Sequence, residues 1–131
     1  MGQRKALPVN PQLLQAIGST TSWSDAVITG DTVWVTGQLG WDKTTGQLAS
    51  GIEAQTERTL ENLKGVLERA GFSMEDVVLT RVYLIDHEDY PKYDAIYQRY
   101  FPKDPPARVS VVVAGLIHYA RIDIEAVAVR S

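Results

Sequence analysis

The chain has 131 residues, 44% of them hydrophobic, with a formal net charge of −3 at pH 7 and no cysteine. That length and composition fit one domain with a real core, the acidic balance provides no basic field for nucleic acid, and the lack of cysteine excludes disulfides, thiolate metal sites and a cysteine nucleophile. No apolar run approaches the roughly 18 residues of a membrane span, and Arg4 and Lys5 are not followed by the apolar core of a secretory signal, so the expectation is a cytoplasmic domain that engages neither membrane nor nucleic acid.

Met1 to Ser22 shows no clear periodicity. Leu13, Leu14 and Ile17 form its apolar cluster, and the polar run Gly18 to Ser22 reads as a loop. Asp25 to Thr29 and Thr32 to Thr36 read as strands around a Gly30-Asp31 turn, the second rich in β-branched and aromatic residues. Gly37 is expected to end this hairpin, and Trp34 to be a core aromatic. A Gly-containing loop follows to Gly51. Ile52 to Ala70 reads as a helix, with Leu60, Leu63 and Leu67 on one side beside Thr56 and Val66, and with Glu53, Glu57, Arg58, Glu61 and Lys64 on the other. Gly71 stands where a left-handed cap is wanted. Ser73 to Asp76 is a turn into a strand over Val77 to Ile85. A second helix starts near Asp89 with Pro91 in its first turn and buries Tyr93, Ile96, Tyr97 and Tyr100. Val109 to Val113 and Arg121 to Val129 are the last strands.

The order β-β-α-β-α-β-β predicts an α+β fold with two helices packed on one face of a sheet. The other face has no helix to cover it, and the last two strands are apolar on both faces by pattern. A second subunit is the simplest cover, so a homo-oligomer with sites shared between subunits is expected.

The chemistry-bearing residues cluster late in the chain. Pro105-Pro106-Ala107-Arg108 places an arginine at the start of an apolar strand, and a guanidinium fork binds a carboxylate with two parallel hydrogen bonds. Asp123 and Glu125 lie two apart on the last strand and so share a face; a carboxylate there is able to orient or deprotonate a water. Together they point to a small site for an anionic substrate, with hydrolytic chemistry and no cofactor. Ser110 has no evident base partner and is not read as a nucleophile. His87 and His118 stand far from other ligand types at metal spacing, so no metal site is expected.

Several short motifs occur in order: Thr36-Gly37-Gln38, Asp42-Lys43-Thr44-Thr45-Gly46, Gln55-Thr56 with Asn62-Leu63, Ala70-Gly71 ahead of Asp76-Val77-Val78, Pro106-Ala107-Arg108, and Ile124-Glu125-Ala126-Val127-Ala128-Val129. Each is weak alone, but the set resembles the reactive-intermediate deaminase family, RidA or YjgF, from about Gly18 to the C-terminus. The resemblance implies a chorismate-mutase-like fold and a homotrimer with ligand sites in the clefts between subunits. It implies hydrolysis of small enamines or imines such as 2-aminoacrylate to 2-keto acids and ammonia, without metal or organic cofactor. It assigns the substrate carboxylate to Arg108, the activation of water to Asp123, and pocket-lining roles to Thr36 and Gly37.

Four positions depart from the best-known family pattern. Trp23 stands where a tyrosine is frequent, Asp94 replaces an asparagine, Ser110 replaces a cysteine, and Asp123 is one methylene shorter than the usual glutamate. If Asp94 lies near Arg108, it partly neutralises the guanidinium and repels an anionic substrate. Arg108, Asp123, Asp94, Ser110, Trp23, Thr36 and Gly37 are therefore the expected site. A protein that binds a 2-keto acid or related carboxylate without turnover is the competing reading, and a ribonuclease, a label attached to this family, is disfavoured by the acidic charge.

Overall fold

The first 22 residues, which no periodicity marks, hold two elements within residues 3–131, the part of the chain that the computed structural model describes. Met1 and Gly2, part of that unpatterned segment, lie outside it. Strand β1 (Lys5–Pro8) and helix α1 (Pro11–Ile17) come first. The helix has local causes. The Asn10 side chain accepts from the backbone N–H of Gln12 and Leu13, Pro11 stands in the first turn, and Gly18 closes the other end at φ 66°. These are start and stop signals without a periodic middle, because seven residues are too few to show one.

Strands β2 (Ser24–Thr29) and β3 (Thr32–Gln38) form the expected hairpin, with Ala26 opposite Val35 and Thr29 opposite Thr32. Gly37 does not end the strand. It lies inside β3, where the pairing with the last strand slips between Val35 and Gln38. Helix α2 (Ile52–Arg69) buries Leu60, Leu63, Val66 and Leu67 and is followed by Gly71 at φ 85°. After a turn in which Ser73 and Asp76 cap each other come β4 (Val77–Leu84), helix α3 (Tyr90–Tyr100), β5 (Ala107–Val112) and β6 (Ile122–Val129). The sheet runs β1-β2-β3-β6-β4-β5. β6 is antiparallel to both β3 and β4, whereas β5 lies parallel to β4 at the sheet edge, reached through α3. The α+β architecture is thus as expected, with one strand and one short helix more than the pattern revealed.

Alternation sorts the strands into two faces. Val33 and Val35 of β3, Val82 and Leu84 of β4, and Ile122 and Ile124 of β6 turn to α2 and α3 and are buried. Trp34 takes the opposite face and is 50% exposed, so it is not a core aromatic. The inward positions of its strand belong to the two valines, and no helix covers the outer one. Val109 and Val111 are exposed on the same outer face. That face is not uniformly apolar, because β6 presents Asp123 and Glu125 there.

A half-buried ion pair ties the start of β6 to the start of α3. Asp89, 3% exposed, accepts from Arg121 Nε at 3.1 Å and from its Nη2 at 2.7 Å, while the backbone N–H of Arg121 donates to Gln55 Oε1 of α2. Removing the arginine leaves a buried carboxylate without a partner. Arg121→Ala is therefore expected to cost about 2–3 kcal/mol, read as a lower urea midpoint at unchanged slope. An unshifted midpoint would show that water replaces the guanidinium.

Candidate functional site

Two clusters hold the seven expected site residues, and they lie on opposite faces of the sheet. In the first, Arg108 of β5 stands opposite Thr80 of β4, which is buried on the helix side. Its side chain runs against α3. Nη1 donates to Asp94 Oδ1 at 2.7 Å and Nη2 donates to the Tyr90 hydroxyl at 2.7 Å. The guanidinium carbon stacks 4.7 Å from the Tyr97 ring centre and 5.3 Å from that of Tyr93, a cation–π setting that fixes the plane of the fork. Asp94 also accepts from Gln98 Nε2 at 3.1 Å. The hydrogen bond from Arg108 holds the Asp94 carboxyl below its usual range. Ser110, two residues on and on the same face, shares a 2.7 Å hydrogen bond with the Tyr93 hydroxyl, and burial pushes that phenol up to about 12. A pocket of about 390 Å³ opens beside Asp94 and Arg108, walled by Tyr97, Phe101 and Pro106.

The second cluster surrounds Asp123. This residue lies opposite Tyr83 on the outer face, and it packs directly on β3 at Gly37. A Cβ on Gly37 would stand 2.3 Å from Asp123 Oδ1, so the glycine is required for lack of a side chain rather than for an unusual backbone angle. Asp123 Oδ1 is buried and has no hydrogen-bond partner among the described residues. Burial, with a smaller push from Glu125, raises the Asp123 carboxyl to about 6. Glu125 is in a different state: it accepts from the Tyr83 hydroxyl and from Arg81 Nη1 at 3.2 Å. The two carboxylates share a face, but among the described residues only Glu125 has a cation paired with it.

Asp123, Thr36, Gly37 and Trp23 line one cleft of about 470 Å³, together with Trp41, Leu116 and His118. The loop that carries Trp41 is held by α2, because Asn62 Nδ2 donates to the carbonyls of Leu39 and Trp41 at 2.9 and 3.1 Å. The buried polar residues Gln55 and Asn62 of α2 thus position the two chain segments that flank Asp123. A groove of about 690 Å³ lies elsewhere, between α2 and α3, and its charged rim of Glu53, Glu57, Arg58 and Arg99 gathers none of the seven residues.

Within one chain, then, Asp94, Arg108 and Ser110 come together, and Trp23, Thr36, Gly37 and Asp123 come together, but the two sets do not meet. Tyr90, Trp41 and His118 were not among the expected residues. Tyr90 stands four positions before Asp94 and so shares its helix face, a signal present in the spacing; Trp41 and His118 lie in loops, where no period marks a direction. Among the described residues no group of three or more His, Asp or Glu is placed to hold a metal ion. No helix among them is long and apolar enough to cross a membrane.

Comparison with known proteins agrees with this architecture. The family model described as Endoribonuclease L-PSP matches residues 13–130. A RutC family protein of Saccharolobus solfataricus is 42% identical over 110 residues, covering 83% of this chain and 87% of that protein. The human 2-iminobutanoate/2-iminopropanoate deaminase is 38% identical over 118 residues, covering 89% and 86%. The crystal structure of RidA from the Antarctic bacterium Psychrobacter sp. PAMC 21119 superposes with a TM-score of 0.83 at 33% identity, covering 95% of this chain and 94% of that one. On fold, motif order and identity over most of its length, the chain belongs to the RidA/YjgF family.

Proposed function

We propose that this protein is a cofactor-independent, cytoplasmic enamine/imine deaminase, hydrolysing small 2-imino acids to 2-keto acids and ammonia in clefts between the subunits of a homotrimer. The observation that carries the reading is the buried carboxyl oxygen of Asp123 in the wall of a cleft, without a partner among the described residues, with a carboxyl group raised to about 6. A carboxyl group in that range is half ionised at about pH 6 and mostly ionised at pH 7, which suits a general base. The naming of mammalian relatives as 2-iminobutanoate/2-iminopropanoate deaminases supports the same chemistry.

The second half of the site comes from a neighbour. Arg108 and Ser110 sit on the edge strand β5, at the rim of the molecule, and the outer sheet face beside them exposes Trp34, Val109 and Val111. Burying that face between subunits brings the arginine of one chain to the Asp123 cleft of the next. Arg108 then holds the substrate carboxylate, and a backbone N–H at Gly37 adds a donor. Asp123 takes a proton from water as the oxygen attacks the imine carbon. Asp123 then delivers that proton to the nitrogen, giving the carbinolamine; transfer of the carbinolamine's hydroxyl proton to nitrogen through the same carboxylate forms the C=O bond as the C–N bond breaks, and ammonia leaves. Imines hydrolyse readily in water, so positioning and one acid/base group, worth roughly 10²–10⁴-fold, suffice.

The test is a coupled assay in which an amino-acid oxidase generates imines and semicarbazide traps the survivors. Faster loss of imine with the protein present supports the deaminase; a folded oligomer that binds 2-keto acids but accelerates no imine would make it a metabolite-binding protein.

Asp94 should tune this site. Its carboxylate occupies one arm of the Arg108 fork and repels a second carboxylate. Asp94→Asn keeps an acceptor without the charge, and is expected to lower KM for an anionic imine by about tenfold with kcat little changed. An unchanged KM would mean that the Arg108 arm facing Asp94 is not the one that meets substrate.

A further inference from the structure

The cleft beside Asp123 is larger than a one- or two-carbon side chain fills. At about 470 Å³ it lies within the range of pockets that enclose whole drug-sized ligands. Its walls include Trp23, Trp41, Leu13, Ile17, Leu39 and Leu116. Of the polar side chains that also face it, Asp25, Gln38 and Ser19 are engaged elsewhere, while Thr36 and His118 stand in its wall. Asp25 accepts from Arg69 Nη1 at 3.0 Å, Gln38 Nε2 donates to the Thr36 carbonyl at 3.2 Å, and Ser19 Oγ donates to the Thr20 carbonyl at 3.2 Å. His118 sets its ring edge-on to Trp41, 5.0 Å between centres. Among the described residues the one buried, uncommitted polar atom of this cleft is Asp123 Oδ1. A cleft with apolar side chains in much of its wall and a buried, uncommitted carboxyl oxygen fits a ligand that has a polar reacting end and a sizeable apolar remainder.

We infer that Trp23, Trp41 and Leu116 are specificity-determining residues that select 2-imino acids with large branched or aromatic side chains, of the leucine and phenylalanine type, over those of the alanine type. The reaction rests on the deaminase reading above; the shape of the ligand does not. With the imine carbon at Asp123, the side chain has apolar walls to meet, and each methylene moved from water onto them favours binding by roughly fourfold. Three more carbons, from the alanine-derived to the leucine-derived imine, then amount to roughly 30-fold in kcat/KM when burial is incomplete.

Two measurements on the intact oligomer separate the ligand's shape from the reaction. Calorimetric titration with pyruvate, 4-methyl-2-oxopentanoate and phenylpyruvate reads the cleft without requiring turnover. The coupled assay with alanine, leucine and phenylalanine as oxidase substrates reads the reaction. The larger keto acids are expected to bind about tenfold or more tighter than pyruvate, and Trp41→Ala or Leu116→Ser to reduce that ratio by about tenfold. If the large keto acids bind preferentially but no imine is hydrolysed faster, the deaminase reading fails and the assignment of the cleft stands. If all three imines are hydrolysed at equal kcat/KM, or the two large keto acids bind no better than pyruvate, the assignment falls.

Discussion

Replacing Asp123 by asparagine is expected to abolish most activity and, above pH 6, to make the protein more stable. The loss of a general base should lower kcat by roughly 10²–10⁴-fold, and the wild-type pH profile should fall on its acid side near the raised value of about 6. The gain in stability has the same origin. Burial disfavours the charged carboxylate, so the group ionises at about 6 in the fold against a model value of 3.8. Below pH 4 both states carry the proton and nothing is lost. Between about pH 4 and 6 the unfolded chain releases its proton first, so the wild type loses stability as pH rises, by about 3 kcal/mol in all at roughly 1.4 kcal/mol per pH unit. Asparagine does not ionise. The variant's advantage should be near zero at pH 4 and approach that figure at pH 7.5, measured by denaturant unfolding at one fixed protein concentration. An advantage independent of pH would place the shift somewhere other than Asp123.

Arg108→Ala is expected to lower kcat/KM for imino acids by roughly 10²–10³-fold, the size of a charge-assisted, two-pronged contact with a carboxylate. Substrate analogues lacking the carboxylate should lose far less, so the ratio of the two losses is the informative quantity. The fold should be little affected. Asp94 and Tyr90, which the guanidinium holds at 2.7 Å each, are both partly exposed and regain water. Arg108→Lys should recover little, because an ammonium lacks the two-pronged fork. Equal losses for substrates with and without a carboxylate would assign Arg108 to the architecture of β5 rather than to the ligand.

Much of the fold was legible because its elements are long enough to show a period. Leu60, Leu63 and Leu67 mark the buried stripe of α2, Tyr93, Ile96 and Tyr97 that of α3, and alternation marks β3 and β6. Where the period is absent the reading fell short. β1 and α1 span four and seven residues, and only the caps at Asn10 and Gly18 betray the helix. Trp34 was misplaced for a different reason: an aromatic in a strand has equal claim to either face until it is known which face the helices take, and that depends on Val33 and Val35 packing against α2. Gly37 looked like a strand end because glycine is poor in strands; its cause is the carboxyl of Asp123, 86 positions later in the chain.

The sequence by itself determined the residue types, their local helices and strands, and the motif order that marks the family. Local propensity and side-chain period are properties of neighbours along the chain, and they need no partner from elsewhere. Only the tertiary structure decided which groups touch. It set Asp94 on Arg108, left Asp123 buried without a partner while Glu125 found Arg81, and put the arginine and the aspartate on opposite faces of one sheet. Those outcomes follow from strand order and register, which bring together residues far apart in the chain, and a carboxylate's environment there sets whether it is a salt-bridge partner or a base.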